Sequence, residues 1–152
     1  MGTITLRAAR ARELSYLSDL CLRSKAIWGY DAAFMAACVD ELTLQPEELD
    51  HTAVIVAERD QAVLGVAQVS TEAGSANLTK LFVDPEHIGK GVGVVLFDWA
   101  VQAARDLRAD KLVIEADPGA EPFYLKRGAK RVGEVPSGSI PGRILPLLQL
   151  PL

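Results

Sequence analysis

The stretch Leu81–Phe97, LFVDPEHIGKGVGVVLF, decides how the chain is read. An apolar, strand-like run stops at Asp84-Pro85, glycines alternate at Gly89, Gly91 and Gly93, and a long helical pattern follows. Glycine backbone lets a ligand approach closely and adopts conformations that a side chain opposes. Between a strand and a helix start, such a loop aims several N–H groups and the positive helix end at one point, which suits an anionic phosphate. Two familiar nucleotide patterns do not fit. In G-x-G-x-x-G, Val94 stands where the third glycine belongs after Gly89 and Gly91, and the segment has no Gly-Lys-Ser/Thr for a P-loop.

Outward from this loop, strands and helices alternate. TITLRAA, residues 3–9, alternates with Ile4, Leu6 and Ala8 on one side, as a half-buried strand does. From Glu13 to Trp28, Leu14, Leu17, Leu20, Cys21 and Ile27 recur at helical spacing. Asp31 is placed to cap a second helix with Ala32, Met35, Cys38, Val39 and Leu42 on one face, and Pro46 marks a short third one. TAVIVAERDQAVLGVAQVS, residues 52–70, predicts a hairpin around Glu58-Arg59-Asp60-Gln61, and TEAGS turns the chain into ANLTKLFV. The helix after the glycine loop is expected to bury Val92, Val95, Leu96, Trp99, Ala103 and Leu107. KLVIEA reads as a strand buried on both faces, EPFYLKRG as a helix ending at Gly128, and KRVGEVP and GRILPLLQL as two closing strands. Pro146 cannot donate to a ladder, so the apolar last strand is expected at a sheet edge, which calls for cover, either by a homodimer partner or by the tail folding back on its own core. Hairpins combined with a strand-helix-strand unit indicate a mixed α/β sheet of the α+β kind.

Composition narrows the classes. A chain of 152 residues, 49% apolar and 24% charged, has the material for one core, so a single domain over residues 1–152 is expected. A net charge of −4 argues against a nucleic-acid partner. No apolar run approaches the ~20 residues that cross a bilayer, and the N-terminus has no h-region, so the expectation is a cytoplasmic protein with no membrane partner. Cys21 and Cys38 fall on apolar helix faces and read as buried thiols; two Cys and two His are too few for a metal site.

KLFVDPEHIGKGVGVVLFDWA resembles the acetyl-coenzyme A motif of the GNAT superfamily of N-acetyltransferases, with its R/Q-x-x-G-x-G/A core, and ADPGAEPFYLKRGAKRVG resembles the later N-x-x-A-x-x-F-Y-x-x-x-G segment. The resemblance extends along nearly the whole chain. It implies a sheet of six to seven strands, mostly antiparallel, with a central parallel pair splayed at the cofactor site, flanked by about four helices. It also implies acetyl-coenzyme A as acetyl donor. Leu81, Phe82 and Val83 are then expected beside the pantetheine arm, and the backbone from Ile88 through Gly89, Lys90, Gly91, Val92 and Gly93 at the pyrophosphate, with Asp117, Ala120, Phe123 and Tyr124 completing the cofactor site. Two positions depart from the pattern. Ile88 replaces the Arg/Gln, leaving backbone N–H groups and the Lys90 charge, and Asp117 replaces the Asn, leaving an acceptor without an amide donor.

Acetyl transfer to an amine sets two proton problems. A primary amine of pKa ~10.4 must lose a proton, and a thiolate of reference pKa ~8.5 must leave, which a phenol at ~10 can protonate. By the resemblance Tyr124 is the catalytic acid. Many relatives carry a Glu on the strand before the glycine loop; here Asn77, Leu78, Thr79 and Lys80 offer no carboxylate, so the base is either water or a carboxylate elsewhere, with Glu72, Glu115 and Asp117 each also readable as solvated or capping groups. The family's general arrangement puts the acceptor amine, of a small molecule or peptide, between the first two helices and the last two strands. Trp28 and Tyr30 of IWGYD are either an aromatic plug or a substrate contact, and Ser137, Ser139 and Arg143 of PSGSIPGR are either a long hairpin turn or a clamp on an acidic acceptor. The basic run Lys126, Arg127, Lys130 and Arg131 is either a solvated helix end or a contact for the nucleotide 3′-phosphate. Two other functions use the same features. A non-catalytic acyl-coenzyme A-binding regulatory module would explain the missing carboxylate, and a nucleotide-binding α/β domain would explain the glycine loop.

Overall fold

The computed structural model describes residues 2–152 and arranges them around one seven-stranded sheet of order β1-β2-β3-β4-β5-β7-β6. In chain order the elements are β1 (Thr5–Ala8), α1 (Leu14–Ala26), α2 (Ala32–Leu42), α3 (Glu48–His51), β2 (Ala53–Arg59), β3 (Ala62–Glu72), β4 (Ser75–Val83), α4 (Val92–Asp106), β5 (Lys111–Glu115), α5 (Glu121–Lys126), β6 (Lys130–Pro136) and β7 (Ile144–Pro151). Every neighbouring pair is antiparallel except β4 and β5. This is the expected mixed sheet with its central parallel pair.

Local chemistry accounts for the connections. Asp60 and Gln61 both have positive φ, as do Ala73 and Gly74, and two successive left-handed residues make the tight hairpin turn whose twist matches the strands. Asp31 accepts a hydrogen bond from the Phe34 N–H at 2.8 Å and so caps α2. Gly128, at φ 103°, ends the α5 segment.

Core packing lies on both faces of the sheet. Leu14, Leu17, Leu20 and Cys21 of α1 join Cys38 and Leu42 of α2 against Val54, Val56 and Val66. On the opposite face Phe97, Ala100 and Ala104 of α4 meet Val69, Leu78, Leu112, Ile114 and Leu148. Both cysteines are buried and free. Among the described residues no helix is long and apolar enough to cross a membrane.

Several sequence-based expectations are corrected. Leu6 is exposed because β1 is an edge strand, and its other side carries Arg7, held by Glu13 and Glu58. Ile27 lies past the end of α1 and Val39 on the outer side of α2; both are exposed. The buried face of α4 is rotated, since Phe97, Ala100 and Ala104 go inward with Val92 and Leu96 while Leu107 is exposed. In β5, Leu112 and Ile114 are buried but Val113, which points to the opposite face of the strand, only half so.

The last strand is not an edge. β7 runs between β5 and β6. The Pro146 carbonyl accepts from the Ala116 N–H at 3.0 Å, so the proline nitrogen faces the same side, past the Glu115 end of β5, where no ladder acceptor needs it. The edge is β6, which carries Lys130, Arg131, Glu134 and Pro136 and an irregular register between Arg131 and Gly133. The apolar strand is thus covered within the chain, which removes the premise for a dimer.

Candidate active site

The site opens where β4 leaves β5. The two pair only at Ala76–Leu112 and Asn77–Val113 and then diverge. A register shift against β3 makes Thr79 the extra residue of β4, so side chains change faces there: Leu78 packs with the α4 layer, while Lys80 and Phe82 turn to the α1–α2 layer. The Asp84 N–H bonds the Leu64 carbonyl at 2.8 Å. Backbone groups alternate sides along a strand, so those of Leu81 and Val83 point into the splay.

The glycine loop closes one end of this opening. Asp84 accepts from the Glu86 N–H at 3.0 Å and starts a short turn over Pro85–His87. Gly89 and Gly91 follow at φ 83° and 84°, and a Cβ on either would meet nothing within 4 Å. Backbone conformation, not crowding, requires glycine here. The first α4 hydrogen bond runs from the Val95 N–H to the Gly91 carbonyl at 3.2 Å, so the N–H groups of Val92, Gly93 and Val94 have no partner within the helix. Gly93 allows Phe123 to pack close, since an added Cβ would lie 3.4 Å from its ring.

A cavity of about 540 Å³ joins these parts. It is lined by Leu81, Phe82 and Val83, by Ile88, Gly89, Gly91, Val92 and Gly93, and by Asp117, Ala120, Phe123 and Tyr124. On the other side stand Trp28, Ser137, Ser139 and Arg143. Lys90 is exposed and does not line it, so the cation expected at the pyrophosphate faces solvent. Lys126, Arg127, Lys130 and Arg131 also lie outside the cavity, and Arg131 pairs with Glu121 and Glu134.

Tyr124 stands in an aromatic cluster with Phe97 and Phe123, at ring-centroid distances of 5.8 and 5.2 Å. Its hydroxyl has no protein hydrogen-bond partner among the described residues, although the residue lines the cavity. Burial, with Asp117 adding a little, pushes its pKa far above the ordinary phenol value, so the group stays protonated and able to donate.

Three distant segments meet beside Tyr124. The Tyr30 hydroxyl donates to Asp117 Oδ2 at 2.8 Å and accepts from an Arg143 guanidinium N–H at 2.7 Å. Arg143 and Lys25 approach the same carboxylate oxygen at 3.4 and 3.5 Å, and the Gly119 N–H donates to Asp117 Oδ1 at 2.9 Å. Burial opposes ionisation of Asp117, but the hydrogen bonds from Tyr30 and Gly119 and the two cations outweigh it and hold the carboxyl below its usual range. Burial and the bond to Asp117 push the Tyr30 phenol up to about 12. Tyr30 itself does not line the cavity; it stacks on Phe34 at 3.9 Å and holds Asp117 and Arg143 from behind. Ser137 Oγ accepts from the N–H groups of Ser139 and Ile140 and thereby shapes its own loop, while Ser139 Oγ lies 3.8 Å from Cys38 Sγ. Trp28 covers Gly119, where an added Cβ would stand 2.8 Å from the indole.

Sequence reasoning missed Lys25 and Lys80. Lys25 lies in a polar stretch of α1 with nothing to single it out. Lys80 did carry a signal, a lysine inside an apolar strand. His87 lines the cavity, and its Nδ1 is buried with no hydrogen-bond partner among the described residues.

The sheet, the splay and the glycine-started helix define an acyltransferase architecture, and comparison with known proteins gives the family. The family pattern described as "Acetyltransferase (GNAT) domain" matches residues 8–137. The chain belongs to the GNAT acetyltransferase family, and its chemistry is acetyl transfer. No curated protein matches it in sequence. Solved structures match in fold. PaiA N-acetyltransferase from Thermoplasma acidophilum, in complex with coenzyme A, superposes with a TM-score of 0.82 at 17% identity over 99% of each chain. A GCN5-related N-acetyltransferase from Rhodopseudomonas palustris gives 0.82 at 21% identity, covering 100% of this chain and 98% of that one. YncA, described as a putative acetyltransferase, from Salmonella typhimurium with acetyl-coenzyme A, gives 0.70 at 19% identity, covering 98% and 94%.

Proposed function

We propose that this protein transfers an acetyl group from acetyl-coenzyme A to a primary amine by direct attack within one ternary complex. The observation that carries the reading is the single cavity in which the glycine loop, the splayed strands and the protonated Tyr124 hydroxyl converge. Two of the similar folds hold coenzyme A or acetyl-coenzyme A. The residues present fit that group: free helix N–H groups and open backbone at Gly89 and Gly91 for phosphates, and unpaired strand backbone for an amide-bearing arm.

Acetyl-coenzyme A supplies the activated acetyl group as a thioester. The N–H groups of Val92, Gly93 and Val94 hold the pyrophosphate, and the backbone of Leu81 and Val83 pairs with the pantetheine amides. As the acetyl C–S bond breaks, the protonated Tyr124 hydroxyl donates its hydrogen bond to the departing sulfur and stabilises the charge there. Deprotonating an acceptor amine at neutral pH costs roughly 4 to 5 kcal/mol, and water in the cavity takes that proton, since the β4 position of the usual carboxylate is occupied otherwise. Trp28, Ser137, Ser139 and Arg143 border the acceptor. The buried free thiols of Cys21 and Cys38 suit a reducing, cytoplasmic setting.

Release of free thiol from acetyl-coenzyme A in the presence of an amine panel tests the reading. Tyr124→Phe is expected to lower kcat by about 10²-fold with nearly unchanged coenzyme A affinity. Unchanged turnover would remove Tyr124 from the mechanism. Silence across a broad panel despite tight cofactor binding would sink catalysis.

A further inference from the structure

Lys80 is the buried charge that acetyl transfer leaves without a task. It turns to the α1–α2 face of β4, lines the cavity, and is only 7% exposed. Its ammonium donates one hydrogen bond, to Gln68 Oε1 at 3.1 Å, and among the described residues it forms no ion pair. Gln68, 2% exposed, cannot turn away, because its Nε2 is committed to Glu48 Oε1 and Thr52 Oγ1, each at 3.0 Å. Glu48 is thus one amide removed. Burial opposes its ionisation, but the bonds from Gln68 and the Gln45 N–H, with the charge of Lys80, hold it below its usual range.

An ammonium has three donors, and this one has a single protein acceptor. Burying a cation with unfilled donors is costly unless an anion arrives to meet it. The other cations bordering the cavity, Lys25 and Arg143, already share Asp117. Among the described residues Lys80 is the cavity cation without an anionic partner, and it stands on the α1–α2 side of the splay.

We propose that Lys80 receives the carboxylate of the acceptor, so that the substrates are amines that also carry a carboxylate, of the amino-acid type. The exposed apolar side chains of Ile27 and Trp28 at the cavity mouth select an apolar group on the same molecule. The inference rests on the acetyl-transfer reading for the place of the amine, but its test reads binding and does not need turnover.

The coenzyme A-loaded protein is titrated by calorimetry with leucine, leucinamide and 3-methylbutylamine, and with phenylalanine, phenylalaninamide and phenethylamine. Both amino acids are expected to bind at least tenfold tighter than their amide and amine counterparts. Lys80→Met should level the series, and Lys80→Arg should keep the preference, with melting temperature and coenzyme A affinity measured for both. Equal binding across each series, no binding by any member, or an undiminished preference in folded Lys80→Met overturns the proposal. The wild-type series decides alone if Lys80→Met does not fold. Tighter binding of O-phosphoethanolamine than of either amino acid also overturns it, in favour of a phosphate. Repeating the series with acetyl-coenzyme A and following thiol release separates the two readings: selective binding without turnover defeats acetyl transfer and leaves the carboxylate site standing.

Discussion

At the scale of the residue, Asp117 shows how one atom changes a site. The family segment has an Asn there, whereas here the position faces Lys25 and Arg143 and takes hydrogen bonds from Tyr30 and Gly119. Only an anion satisfies all four. Asp117→Asn would leave two largely buried cations facing a neutral amide, with an expected loss of about 1.5 to 3 kcal/mol at pH 7. Because the folded carboxyl sits below its ordinary value, its contribution is full above about pH 4 and is lost as pH falls through the lower folded pKa. Denaturant melts at pH 7, 5 and 3 check this. The gap between wild type and variant should hold from pH 7 to 5 and narrow at pH 3; a constant gap would mean that the amide disturbs packing and that charge is not the cause.

At the scale of the element, Asp117 joins the α1–α2 link, the turn before α5 and the β6–β7 loop. The indole of Trp28 lies over Gly119, with Cζ3 and Cε3 2.8 and 2.9 Å from where an added Cβ would stand. Gly119→Ala must therefore push the indole away, at an expected cost of about 1 to 3 kcal/mol. The emission of Trp28, measured in a Trp99→Phe background, should move toward that of an exposed indole; unchanged emission would show that the turn shifts instead. These elements also mark what the sequence could tell. Gly89, Gly91 and the EPFYLKRG helix were legible because glycine conformation and helical spacing are local properties. The junction was not, since Tyr30, Asp117 and Arg143 are brought together by tertiary packing alone. Pro146 misled for the same reason: a missing donor reads as an edge strand, yet β5 ends beside it and asks nothing of it.

At the scale of the molecule, the sheet is nearly two sheets. Among the described residues β1–β4 and β5–β7 are joined by just two ladder rungs, Ala76–Leu112 and Asn77–Val113, together with the Asp110 N–H bonded to the Gly74 carbonyl, the α4 packing layer, Ile140 packed on the α1–α2 cluster, and the Asp117 junction. The β2–β3 and β3–β4 hairpins follow from patterns in the sequence, but the place of β7 between β5 and β6 and the splay both depend on non-local pairing, which no local pattern records. A ligand seated in the gap touches both halves and so stabilises the whole fold by mass action. At 100 times its Kd, coenzyme A should add about 2.7 kcal/mol, and for a chain of this size each kcal/mol raises Tm by roughly 2 to 4 °C. A rise of about 5 to 10 °C is expected in a thermal melt with coenzyme A. ATP and NAD at the same concentration bring phosphates to the glycine loop but no pantetheine to the splay, so their shifts should be much smaller. Equal shifts from all three would place the binding energy in the glycine loop alone and make the splay incidental to recognition.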